Sequence, residues 1–181
     1  PGDVAGRVMV LPRALPVGAA VDRIIAEARQ QPGEYAVVLV DTYQNPEKFH
    51  EVKVDDRRGG YIATRYLIDR GHRDIAFISG ALREQGVTQL RYDGYRQALE
   101  EGGIPYQKRL VFPGVVSFQS GLECAAKALV EASEITAMFC TADIIAMGAM
   151  KQVLATGRKV PQDISIMGFD NLNIAEYTSP S

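Results

Sequence analysis

The stretch Val52–Gly80, VKVDDRRGGYIATRYLIDRGHRDIAFISG, decides the fold. It holds a short strand, a turn with paired acids at Asp55-Asp56, an amphipathic helix and an apolar strand, with almost no slack between them. The helix is expected to begin near Arg57. It places Ile62, Ala63, Tyr66 and Leu67 on one face, the spacing of a helix that packs against a sheet. Gly71 stops it as a left-handed cap, a conformation that a residue without a side chain adopts most readily. Ile75–Ile78 is then a buried strand and Ser79-Gly80 the loop at its carboxyl end. These residues make one α/β unit.

The same alternation runs outward in both directions. Before it, Arg7–Leu11 is a short strand, Val21, Ile24, Ile25 and Ala28 form a helical stripe, and Tyr35–Val40 is an apolar strand ending at Asp41. Thr42–Glu51 is a polar loop with an Asn-Pro turn. After it come a polar loop (Ala81–Thr88), a helix from about Gln89 to Glu101 closed by Gly102-Gly103, and a strand at Leu110–Phe112. A helix over Phe118–Ala132 carries Leu122, Ala125, Ala126, Leu129 and Val130. A strand at Ala137–Cys140, a helix over Asp143–Ala155 and a strand at Ile164–Phe169 complete the series. Short, near-continuous apolar strands joined by helices imply a parallel sheet covered on both faces, and the right-handed crossover rule makes it doubly wound. The chain divides best near Val54-Asp55. Residues 1–54 supply too few strands to close a sheet and form a partial first lobe; 55–178 form a second lobe with four strands and four helices; 179–181 begin a return crossover.

Composition narrows the function. The 181 residues are 46% hydrophobic, enough for a sizeable core. A net charge of -2 gives no whole-chain attraction for nucleic acid or an anionic membrane. No apolar run has the length of a membrane span, and no signal-peptide pattern opens the chain. Cys124 and Cys140 lie in apolar segments and make no disulfide framework, while His50 and His72 lack any metal-ligand spacing, so neither a metal nor a cofactor is expected. GxGxxG, GxxxxGK[ST] and GxSxG are all missing, which removes the dinucleotide, P-loop and serine-elbow chemistries; an enzyme is not the expectation. The Gly59-Gly60 pair alone is weak evidence for phosphate binding.

Ligands of open parallel sheets bind outside the carboxyl ends of the strands, where strand order reverses. That rule selects the residues after Leu11, Asp41, the Gly80–Arg91 loop, Gly114–Ser117, Thr141–Asp143 and Asp170. A guanidinium and carboxylates around one crevice hold a polyhydroxylated ligand by charge-assisted hydrogen bonds. The plainer alternatives are a helix cap for Asp143 and a surface position for Arg91.

The wording of the motifs adds a resemblance. In order they are VxVDDxxGGYxATxYLIxxGHRxIAFISG, RYDGYRQALEEGGIP, FCTADIIAMGAM, VPQDISIMGFDN and EYTSP, covering roughly Val37–Ser181. The chain resembles the regulatory core of the lactose/galactose repressor (LacI/GalR) family of bacterial transcription factors. The resemblance implies a two-lobed, periplasmic-binding-protein-like fold whose N-terminal lobe is incomplete here, truncated at both ends and without the helix-turn-helix headpiece. In that family two lobes enclose a small effector, usually a sugar, nucleobase or nucleoside, and a dimer binds operator DNA in the cytoplasm. Carried over, Arg91 and Asp170 match effector contacts, Asp143 and Ala142 lie at the effector-side strand end, and Val116 replaces an aromatic that stacks on a sugar. Gln85 and Val87 match loop positions that tune ligand choice, and Asp41 and Val54 match contacts from the other lobe. The helix over Asp143–Ala155 is apolar nearly all round, so Met147, Met150 and Ile144 are expected at a homodimer interface. The rival reading is a periplasmic sugar-binding protein of a transporter, which shares the fold.

Overall fold

The computed structural model describes residues 38–40, 50–82 and 86–180, with side chains from Val52 onward. The expected strand at Arg7–Leu11 and the stripe of Val21, Ile24, Ile25 and Ala28 lie outside these residues, as do Asp41 and Gln85. The chain divides into two compact units, 1–54 and 55–181. In the first, β1 (Val38–Val40) pairs in parallel with β2 (His50–Val52), Leu39 opposite Glu51. His50 and Glu51 therefore leave the expected polar loop and join a strand. The short strand expected from Val52 onward thus ends at Val52, with Lys53 and Val54 outside it, because two polar residues in three carry no alternating pattern that would set its start.

The second unit is a four-stranded, all-parallel sheet in the order β4-β3-β5-β6. Its elements are α1 (Asp56–Asp69), β3 (Ile75–Ser79), α2 (Val87–Glu101), β4 (Val111–Pro113), α3 (Phe118–Glu131), β5 (Ala137–Cys140), α4 (Asp143–Ala155) and β6 (Ser165–Met167). The sheet is doubly wound. Along β3 and β5, Ile75, Phe77, Ala137 and Phe139 pack under α1 and α2, whereas Ala76, Ile78, Met138 and Cys140 pack under α3 and α4. Side chains of a strand alternate between faces, so strands covered on both sides must be apolar throughout, and these are fully buried.

Local chemistry sets the helix ends. Asp55 caps α1, its carboxylate accepting from the Arg58 N–H at 2.9 Å. At the other end Gly71, with φ of 93°, donates to the Ile68 carbonyl while His72 donates to Leu67, the paired bonds of a Schellman motif. Ser117 caps α3 through the Ser120 N–H.

Two expected faces differ. The buried side of α1 is Asp56, Gly60, Thr64, Leu67 and Ile68, while Ile62 and Tyr66 are about half exposed. The helix crosses α2 as well as the sheet, and that crossing admits only small or self-satisfied side chains. Gly60 lies against the Arg91 backbone and Gly94 against that of Arg57, with no room for a Cβ at either. On α3, Cys124 and Ala128 enter the core and Val130 is 82% exposed. Here too Gly121 and Gly148 bring α3 and α4 into backbone contact, which turns the stripe toward its small residues.

Candidate functional site

Strand order reverses between β3 and β5, because the chain leaves β3 for β4 and then returns across β3 to β5. The carboxyl ends of β3, β5 and β6 therefore meet the start of α2 at the switch point. Arg91 is there, in the second turn of α2, since the helix begins at Val87 and not at the expected Gln89. Its guanidinium is buried, 4% exposed. Nε donates to Asp56 Oδ1 at 2.7 Å, and Nη1 donates to the Thr141 carbonyl at 2.5 Å, at the end of β5. Nη1 also stands 3.5 Å from Asp170 Oδ1, and the group lies 3.6 Å from the centroid of the Phe169 ring.

Asp170 follows β6 in a backbone conformation that side chains avoid, φ 99°, and Asn171 continues it at 53°. Asp143 holds this turn. Its N–H donates to the Phe169 carbonyl, and its Oδ2 accepts from the Leu172 N–H at 2.6 Å. Gly168 has no side chain because Asp143 Oδ1 occupies that space. Asp143 thus shapes the loop that presents Asp170, and α4 has no side-chain cap at its N-terminus. Ala142 is buried, its methyl part of the apolar cluster under α3 and α4.

The structure brings Arg91, Asp170 and Asp143 together at one edge of the sheet. Val116, 53% exposed in the loop after β4, fills the space over Gly80. Val87 is the first residue of α2 and partly buried. Val54, exposed, is the last residue of the first unit. Asp41 and Gln85 lie outside the described residues.

Sequence reasoning missed Asp56 and Phe169. The paired acids looked equivalent, yet Asp55 caps the helix while Asp56, one residue round the turn, points inward and is buried against Arg91. A carboxylate at the first position of a helix whose neighbour is already the cap was the available signal. The Gly59-Gly60 pair also serves this assembly: a Cβ at Gly59 would strike the Phe169 ring, and one at Gly60 the Arg91 backbone. Their smallness is a packing requirement.

At the open edge of the sheet, Met147 and Met150 of α4 line a groove of about 560 Å³ with Tyr66 of α1 and Ile166 of β6. Ile144 is half-buried against the apolar cluster.

A parallel doubly wound lobe with a charged cluster at its switch point defines a class, and comparison with known proteins gives the same one. The chain belongs to the periplasmic binding protein-like domain family, whose model matches residues 64–181, in the form that serves LacI/GalR regulators as their effector-binding core. It is similar to the HTH-type transcriptional repressor PurR of Histophilus somni, with 42% identity over 122 residues, 67% of this chain and 36% of that protein. It is also similar to the ribose operon repressor of Haemophilus influenzae, with 36% identity over 80% of this chain and 43% of that protein. Among solved structures, a sugar-binding LacI-family regulator from Escherichia coli complexed with phosphate has a TM-score of 0.78 at 30% identity, covering 96% of this chain and 60% of that one. The transcriptional regulator CelR in complex with cellobiose has a TM-score of 0.75 at 27% identity, covering 90% and 57%. The chain thus spans about two-fifths of the curated relatives' length. These relatives are transcriptional regulators and not enzymes, which favours regulation over transport. No described helix is long and apolar enough to cross a membrane.

Proposed function

We propose that this chain is the effector-sensing core of a cytoplasmic LacI-type transcriptional regulator. Arg91 and Asp170 hold a small polar ligand, a sugar or related molecule, with Asp143 supporting the loop from below. The observation that carries this reading is the convergence of a buried guanidinium and a partly exposed carboxylate, 3.5 Å apart, at the switch point of the sheet. A group with acceptor and donor atoms side by side, as in a vicinal diol, complements that pair. The family resemblance adds Asp41 and Val54 as ligand contacts, and Gln85, Val87, Val116 and Ala142 as positions that tune the choice of ligand. An exposed valine where a ring could stack favours a ligand recognised by its polar edge.

Operator DNA is bound through a helix-turn-helix elsewhere in the parent protein, and the apolar side of α4 with Met147, Met150 and Ile144 contributes to a homodimer. Effector and operator are coupled because the ligand favours one arrangement of the core over another.

The test is ligand binding by the intact regulator, screened with monosaccharides, disaccharides and purine bases. Arg91→Gln and Asp170→Asn, the latter chosen because Asn tolerates positive φ, each weaken the ligand found by at least ~10-fold, the loss of one charge-assisted hydrogen bond. Unchanged affinity in both variants overturns the site. Operator titration by anisotropy then shows an effector-dependent affinity that Arg91→Gln abolishes.

A further inference from the structure

The Arg91 cation is cancelled from behind. Its side chain and that of Asp56 are 4% and 0% exposed, and the Nε–Oδ1 distance is 2.7 Å. In so dry a position the partner carboxylate governs what the guanidinium presents, because screening by water is lost and Coulomb interactions lengthen their reach. The geometry leaves one edge for anything else. Nε is committed to Asp56, Nη1 to Thr141 O and toward Asp170, and one face to Phe169. Nη2 is the edge that these contacts leave over, the place where a ligand acceptor would meet the guanidinium.

We propose that Asp56 is a positioning residue that sets the charge class of the ligand: it converts Arg91 from a cation into an oriented, electrically compensated donor, so the site takes an uncharged acceptor such as a hydroxyl or carbonyl and discriminates against phosphate esters and carboxylates. This rests on the effector-site reading of Arg91. Sequence position supports the role. Asp56 is not needed to cap α1, which Asp55 does, and its own helix places its carboxylate against Arg91 Nε. Gly60 and Gly94 hold α1 and α2 in backbone contact, so neither charged residue can withdraw from the other by a helix shift.

The experiment uses the intact protein and inorganic phosphate as the probe, with chloride at matched ionic strength as control. Wild type shows no phosphate-specific rise in melting temperature and no calorimetric binding. Asp56→Asn, which keeps the shape and an acceptor for Nε but removes the charge, binds phosphate at least ~10-fold tighter, and adding Arg91→Gln removes the gain. Wild type binding phosphate as tightly as the Asn variant overturns the proposal. So does a folded Asn variant, checked by near-ultraviolet dichroism, that gains nothing. Should Asn at 56 prevent folding, Asp170→Asn decides, because it removes the other carboxylate beside Arg91 and leaves Asp56 in place. Phosphate binding below about 1 mM by that variant overturns the proposal, and no phosphate-specific stabilisation at ten times that concentration upholds it. Neutral-ligand binding by Arg91→Gln separately decides whether Arg91 belongs to the effector site, so the two failures are told apart.

Discussion

The two faces of the second-lobe sheet carry the same architecture to different ends. Each is covered by two helices crossing through a pair of glycines, Gly60 with Gly94 on one side and Gly121 with Gly148 on the other. Under α3 and α4 the interior is Ala, Ile, Leu, Met, Cys, Phe and Val, and the polar side chains Ser120 and Asp143 sit at helix starts, bonded to backbone N–H groups. Under α1 and α2 lie an ion pair, Thr64 bonded to the Gly60 carbonyl, and Tyr95, whose hydroxyl donates to Ile75 O at 3.0 Å. The aromatic group of Phe77, Tyr92, Tyr95 and Phe139, with neighbouring centroids 5.0–6.3 Å apart, packs on this same face. Burial pushes the Tyr95 phenol upward, and burial with the bond to Tyr106 moves Tyr92 up to about 12, so both hydroxyls stay neutral. Apolar packing on one face supplies stability without directional demands. The other face holds charges whose desolvation is met only by geometry, and the proposed ligand edge is built on it.

Breaking the pair should give the largest effect. Asp56→Ala leaves the Arg91 guanidinium buried without its partner and is expected to cost about 3–5 kcal/mol, read from the urea midpoint. Replacing both, Asp56→Ala with Arg91→Met, should recover much of that loss; a double variant no more stable than Asp56→Ala would show that the pair is not the unit. On the apolar face Ile145→Ala, at a fully buried position, should cost about 2–4 kcal/mol through transfer and cavity terms, with no effect on ligand selectivity. The glycine contacts follow. Gly94→Ala and Gly148→Ala each force backbones apart, at about 1–3 kcal/mol, but only Gly94→Ala should also weaken ligand binding, because it displaces Arg91. Equal effects on binding would erase the distinction between the faces.

The smallest effect belongs to the amino ends of the strands. His72 Nδ1 is 2.8 Å from Thr136 Oγ1 and Nε2 is 3.0 Å from Ser165 Oγ, tying the turn after α1 to β5 and β6. Burial disfavours the imidazolium and lowers its pKa below the ordinary 6.5. The unfolded chain then binds the proton more readily, so this stability is whole above about pH 6.5 and declines as pH falls through that value toward the folded pKa. His72→Gln should flatten that decline in melting temperature between pH 7 and 5.5. An unchanged slope would assign it to other groups.

Much of this was legible in the chain. The strands at Ile75 and Ala137, the helices starting near Arg57 and Phe118, the Gly71 cap and the parallel, doubly wound class all follow from local rules: apolar runs too short for helices, stripes of period 3.6, and a glycine where φ must be positive. Arg91, Asp143 and Asp170 were selected because strand ends are where such sheets bind ligands. Tertiary structure decided the rest. Which acid of Asp55-Asp56 caps and which pairs depends on where α2 crosses α1, some thirty-five residues later in the chain. The exposure of Ile62, Tyr66 and Val130, and the burial of Thr64 and Cys124, follow from helix–helix contacts that a stripe written for helix on sheet does not contain. The short strand expected from Val52 runs instead over His50–Val52, where it pairs with β1. Periodicity fixes an element and its approximate face because it depends on neighbours in sequence; the partner of a charge depends on neighbours in space, and only the packed fold brings those together.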